Sequence, residues 1–263
     1  MAKLTLKSGD ELYYEVHGDG EPLMLVSGLS GTATFWTTIY PTLAERYRVV
    51  LHDHRGTGRS THARIRYSVE QMTDDVIELM DALGIERAHL IGHSTGGAIG
   101  QTMALDRPER LGKLVLTATW TAADAYFRRL FEVRGDSLRN GGPRAYVRSN
   151  AIYMRPPWSV RDDIAAIEAQ EQAIIDGFPP PEVMLDRIDA ICRFDRRADL
   201  PRIQAPTLVI GARDDIVTPV YYSEELGRLI PGATTVLLPQ GGHFFPQLLR
   251  TEFTRTVLDF LSD

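Results

Sequence analysis

Cysteine is nearly missing from this chain: Cys192 is the single one in 263 residues. That excludes an internal disulfide and a zinc site built from cysteines. Excess positive charge is missing as well. Asp and Glu number 35 against 29 Lys and Arg, a formal net charge of -6, whereas phosphate binding needs a clustered basic surface. Nucleic acid is therefore not an expected partner. Nor are there long apolar runs, since charged or turn residues interrupt each one well short of the ~18 residues a membrane span needs. The opening Met1-Ala2-Lys3-Leu4-Thr5-Leu6-Lys7 alternates polar and apolar and lacks the apolar centre of a signal peptide. A cytoplasmic protein with no membrane partner is the expectation.

What is present is an alternation of short apolar strands with helical patterns, the mark of an α/β sheet. Leu4–Leu6 and Leu12–Val16 read as a hairpin, and Leu23–Val26, Arg48–His52, Ala88–Ile91 and Lys113–Leu116 as further strands. Apolar residues at Met72, Val76, Leu79, Met80 and Leu83 predict a helix closed by Gly84. After Thr119 the rhythm changes. Four helical patterns (125–138, 143–153, 160–175 and 182–194) are separated by Gly141-Gly142, Pro156-Pro157 and Pro179-Pro180-Pro181. Strands at Thr207–Ile210 and Thr234–Leu237, with helices at 221–230 and 251–261, then resume the first pattern. This divides the chain into a core, first part, at 1–119, a helical lid at 120–197, and the second part of the core at 198–263.

Gly92-His93-Ser94-Thr95-Gly96 follows a strand and precedes a helix expected to begin near Gly97. G-x-S-x-G in that context holds a serine hydroxyl on a strained turn at the carboxyl edge of the sheet. A hydroxyl is a poor nucleophile at neutral pH and needs a base. His243, in the glycine loop Gly241-Gly242-His243-Phe244 after the last strand, is placed to supply one. His52-x-His54 lacks a third ligand, so no metal is expected. The imidazole needs an acid to orient it, and Asp214 or Asp215, both at a strand's end, could serve. The chain order serine, aspartate, histidine is the order of nucleophile-elbow hydrolases. For the oxyanion, the N–H of Thr95 is one candidate donor and that of Leu29, in Ser27-Gly28-Leu29-Ser30-Gly31, the other.

Together these residues resemble the α/β-hydrolase superfamily over essentially the whole chain. Asp53-His54-Arg55-Gly56-Thr57-Gly58-Arg59-Ser60 is similar to its D-x-R-G-x-G-x-S turn, Gly92–Gly96 to its elbow and Gly241–Phe244 to its histidine loop. The resemblance implies an α/β-hydrolase fold: a mostly parallel sheet flanked by helices, with a helical lid inserted between core strands. Because the family acid stands about four residues before a proline, here Pro219, the resemblance favours Asp215. The nearest branches are the 3-oxoadipate enol-lactonases and the pyrimidine-utilisation aminoacrylate or carbamate hydrolases. Ser94 at the elbow argues against dehalogenases and epoxide hydrolases, which need aspartate there. The same elbow resembles the cofactor-free perhydrolases, which share the triad.

The implied function is cofactor-free cleavage of a small ester, lactone or amide through an acyl-serine. Two rivals remain: C–N hydrolysis by a histidine-activated water, and a ligand-binding receptor on the same fold. The partner is a small molecule, with a homodimer left open. The lid carries Arg128, Arg129, Arg134, Arg139, Arg144, Arg148 and Arg155. One of these, Arg128 being the first choice, could form a bidentate pair with a substrate carboxylate. Trp120 and Phe127, at the lid's entry, are the aromatic residues expected to line the pocket.

Overall fold

The computed structural model describes residues 2–262. Among these, the strands are β1 (Ala2–Thr5), β2 (Glu11–His17), β3 (Glu21–Val26), β4 (Tyr47–His52), β5 (Ala88–His93), β6 (Leu111–Thr117), β7 (Thr207–Ala212) and β8 (Thr234–Leu238). They form one sheet in the order β1-β2-β4-β3-β5-β6-β7-β8. β2 is antiparallel to both neighbours, and every pairing from β4 through β8 is parallel. The helices are α1 (Tyr40–Leu43), α2 (Val69–Ala82), α3 (Thr95–Asp106), α4 (Ala125–Met154), α5 (Pro157–Asp176), α6 (Pro181–Arg193), α7 (Val220–Leu229), α8 (Phe245–Leu248) and α9 (Arg250–Ser262).

Alternation along the strands gives each face of the sheet its own core. Leu23, Leu25, Val49, Leu51, Ile91, Val115 and Ile210 pack with Trp36, Leu43 and the α9 residues Phe253 and Val257. Their strand neighbours Met24, Val26, Val50, Leu90, Leu114, Leu116 and Val209 pack with Val76, Ile99, Met103 and Leu226 from α2, α3 and α7. The Ser68 hydroxyl caps α2 by accepting the N–H of Gln71, and Gly84 at φ +65° ends it. Each fully buried aliphatic side chain on these faces contributes roughly 1.5–3 kcal/mol relative to exposure.

Helices α4, α5 and α6 fall between β6 and β7. Their base is closed by a bridge between Ala122 and Asp195 and by the Arg196 N–H donating to Thr121 O at 3.0 Å. Phe131, Leu138, Tyr146, Met184 and Ile191 of this segment join the same core as α2 and α3. The structure fuses the helical patterns 125–138 and 143–153 into α4, broken at Gly142 (φ +70°) where Pro143 restarts the helix. α5 begins at Pro157, three residues before the pattern at 160, because proline at the first helical position lacks only an N–H that would go unpaired there. Among the described residues, no helix is long and apolar enough to cross a membrane.

Candidate active site

The turn after β5 is tighter than its sequence pattern suggests. The strand continues through His93 and α3 starts at Thr95, leaving Ser94 alone between them. Ser94 has φ +54°, a left-handed conformation rare for a non-glycine residue, and such strain costs about 1–3 kcal/mol. It is held there by backbone bonds: its N–H donates to Thr117 O at 2.9 Å, and its carbonyl accepts from Gly97 N–H at 2.8 Å and Thr119 Oγ1 at 2.8 Å. The flanking glycines are steric necessities. A Cβ at Gly92 would lie 2.2 Å from Gly96 O, and one at Gly96 would lie 2.0 Å from Val26 O.

His243 and Asp215 meet at a neighbouring strand end. The ring Nδ1 of His243 lies 2.8 Å from Asp215 Oδ2, with both residues buried. Thr218 donates its hydroxyl to the same oxygen at 2.8 Å, and the N–H groups of Val217 and Thr218 donate to Oδ1 at 2.7 and 3.1 Å. The carboxylate is thereby fully satisfied and fixed toward the imidazole. Asp214 takes a different task, accepting the Gly241 N–H at 3.1 Å and the Gly242 N–H at 2.8 Å. One aspartate holds the histidine's ring and its neighbour holds the loop that carries the ring. Neither aspartate caps α7, whose N-cap position is Pro219.

Ser94 and His243 reach the same edge of the sheet. His93, the residue before Ser94, has its ring centre 4.9 Å from that of His243. Both His243 hydrogen bonds, to Asp215 and Thr218, are at Nδ1, and its Nε2 makes none to Ser94 in this conformation; unliganded catalytic pairs commonly tighten only around substrate. His93 stacks on Phe35 at 4.5 Å, and burial, then the proximity of His243, holds it well below the usual histidine pKa. It is a neutral neighbour of the imidazole. Cys192 is no rival nucleophile, because burial pushes its thiol up to about 11.

Gly28 closes the third side: a Cβ there would lie 3.2 Å from Ser94 Cβ. Among the described residues, the N–H groups of Leu29 and Thr95 have no protein acceptor. The carbonyls of the Leu29 loop, in contrast, are tied down. Ser27 O lies 3.0 Å from His54 Nε2, Gly31 O accepts from His54 N and Thr57 Oγ1, and Thr32 O accepts from Ser27 Oγ. Asp53, fully buried, receives the Ala33 N–H at 2.7 Å and the Arg59 side chain. The D-x-R-G turn is thus the scaffold of the loop beside the serine.

The helical segment is placed differently from its sequence reading. Trp120 and Phe127 are fully buried, 4.6 Å apart, and pack with Phe194, Phe131 and Tyr222 inside the core. Aromatic content alone could not say on which side of the segment they would lie. Arg128 is exposed, its Nε donating to Ala123 O at 3.2 Å. The arginine that overlies the histidine loop is Arg155, with Cζ 5.7 Å from the Phe244 ring and a 3.3 Å hydrogen bond to Ser159 Oγ. Two participants were missed outright, Thr218 and Arg187. The guanidinium of Arg187 is fully buried and reaches Leu29 O at 2.8 Å. Among the described residues, no cluster of three His, Cys, Asp or Glu side chains is arranged to hold a metal ion.

The fold is shared with known proteins. The family described as "alpha/beta hydrolase fold" matches residues 21–148. A protein of Caulobacter sp. (strain K31) named "Putative carbamate hydrolase RutD" is 42% identical, with 96% of each chain covered. Its namesake from Azorhizobium caulinodans is 39% identical, again over 96% of each. Among solved structures, the enol-lactonase from Burkholderia xenovorans LB400 superposes with a TM-score of 0.92 at 26% identity, covering 100% of both chains. A thermophilic esterase from Thermogutta terrifontis gives a TM-score of 0.88 at 27% identity, over 99% of this chain and 97% of that one. The chain belongs to the α/β-hydrolase family and is a hydrolase whose near branches are the RutD and enol-lactonase groups.

Proposed function

We propose that the protein is a cofactor-free serine hydrolase cleaving a small ester, lactone, amide or carbamate through an acyl-Ser94 intermediate. The observation that carries this reading is the buried Asp215–His243 pair beside a serine held at φ +54°. His243 Nε2 takes the Ser94 proton as Oγ attacks the carbonyl carbon. The N–H groups of Thr95 and Leu29 receive the oxyanion, each such donor being worth ~3 kcal/mol in a transition state. His243 then gives its proton to the leaving oxygen or nitrogen, and Asp215 stabilises the imidazolium between the two transfers. Water activated by His243 releases the acid and restores the hydroxyl.

Arg155 supports a substrate with an anionic group. It is half-buried over the residue next to His243, and burial lowers its pKa; it hydrogen-bonds Ser159 and, among the described residues, has no carboxylate partner within ion-pair distance. Arg155 replaces Arg128 as the arginine of choice. The RutD relatives favour a carbamate or other C–N bond, and the Burkholderia enol-lactonase favours a lactone. Screening the purified protein against esters, lactones, carbamates and amides, with and without a carboxylate, tests the reading. Multiple turnover is expected on at least one class, and Ser94→Ala should lower it by ~10³-fold or more. Unchanged turnover in Ser94→Ala would remove the serine mechanism, and a single slow turnover with retained product would favour a receptor.

A further inference from the structure

Among the described residues, the charge of Arg187 has no carboxylate partner within ion-pair distance. Its side chain is fully buried in α6, yet its three hydrogen bonds all go to backbone carbonyls: Nε and Nη2 to Leu29 O at 3.1 and 2.8 Å, and Nη1 to Arg55 O at 2.7 Å. Tyr67 lies under it, with its ring centre 5.3 Å from Cζ. The nearby Arg55 guanidinium, by contrast, is paired with both Asp75 and Asp10. Burying an unpaired guanidinium is costly, so its retention at this place points to a task.

The task follows from what it holds. Leu29 and Arg55 belong to the two loops beside Ser94, and Arg187 ties both to α6. The peptide linking Gly28 to Leu29 carries the free Leu29 N–H. On one side of it Ser27 O is held by His54, and on the other Leu29 O is held by Arg187. With both flanking carbonyls held, the peptide that carries the N–H is fixed in place beside Gly28, whose own Cα faces Ser94. The guanidinium also places a permanent positive charge behind that peptide, in a medium from which water is excluded.

We infer that Arg187 is a positioning residue for the oxyanion hole: it fixes the Leu29 peptide, so that a residue of the helical segment sets catalytic efficiency without touching substrate. This rests on the acyl-Ser94 reading above. The same guanidinium makes α6 a strut for the site.

The test compares Arg187→Met with Arg134→Met on whichever ester is turned over fastest. Arg134 is another buried arginine, in α4, and it bonds Tyr146 and Asn150 instead of the Leu29 loop. Arg187→Met is expected to lower kcat on the order of 100-fold with KM changed less than about three-fold. Affinity for an alkyl boronic acid, which mimics the tetrahedral oxyanion, should fall by a similar factor. Arg134→Met should lower Tm without that kcat loss. If Arg187→Met does not fold, Arg187→Lys serves, because a point-like ammonium cannot span Leu29 O and Arg55 O; its kcat is expected to fall ~10-fold at constant KM. A kcat within about three-fold of the parent for the folded variant, or equal kcat losses in the Arg187 and Arg134 variants, would overturn the inference. Should the parent's turnover survive Ser94→Ala, the acyl-serine reading itself fails, a result readable before any Arg187 variant is made.

Discussion

At the carboxyl edge of the sheet, Asp215, Asp53 and the Ser94 peptide are held by short hydrogen bonds, while the helical segment between β6 and β7 mostly turns its charges to water. Asp215, Asp53 and the Ser94 peptide each have two or more short bonds from neighbouring loops. In α4 and α5, pairs such as Arg129–Glu132, Arg139–Asp136 and Arg161–Asp162 are exposed and local, an arrangement worth little to stability. The histidines divide the same way: all seven lie outside residues 120–197. The contrast teaches that the candidate site is braced by bonds between loops, while the segment over it is held mainly by apolar packing and local ion pairs. Arg187 and Arg155 are two of its points of contact with the loops around Ser94 and His243.

The largest effect that could break this contrast is at the triad acid. Asp215→Asn is expected to lower kcat ~10⁴-fold by disturbing the tautomer of His243. Asp214→Asn, which keeps one oxygen for the Gly241 and Gly242 amides, should cost less than ~10-fold. Steady-state kinetics on both variants decide it, and equal losses would show that the two aspartates do not divide the work as the hydrogen bonds indicate.

A smaller effect lies in acid. Burial pushes His52 down to about 4, and burial also holds His54 and His93 well below the usual range, with their charged neighbours adding to it. All three are neutral in the folded protein near pH 6.5, where the unfolded chain begins to take up protons. Their full contribution is therefore present above pH 6.5 and is lost as pH falls from there toward about 4. His52 alone should cost about 2 kcal/mol by pH 5. Urea midpoints measured at pH 7 and pH 5 test this; equal midpoints would mean that these histidines are not buried neutral.

The elbow, the glycine loop of His243 and the strand–helix alternation were legible because each is a local pattern: small residues where backbones touch, and apolar spacing that reports a buried face. The choice between Asp214 and Asp215 was not legible from local chemistry, since both end the same strand; it depends on which one meets the imidazole and which the glycine amides of a loop 28 residues later. Arg187 was hidden for a related reason. On α6 it sits between Asp186 and Asp189 like any charged residue of an amphipathic helix, and its partner at Leu29 is 158 residues away. Trp120 and Phe127 pose the converse case, because large aromatics serve a core as readily as a pocket and their composition does not distinguish the two.

The most direct measurement is the intact mass of the protein, quenched in acid during turnover of an activated ester, followed by peptide mapping. The account predicts an added acyl group on the peptide containing Ser94, absent from Ser94→Ala. Sustained turnover with no adduct at any quench time, and with Ser94→Ala equally active, would contradict it and leave a histidine-activated water as the nucleophile.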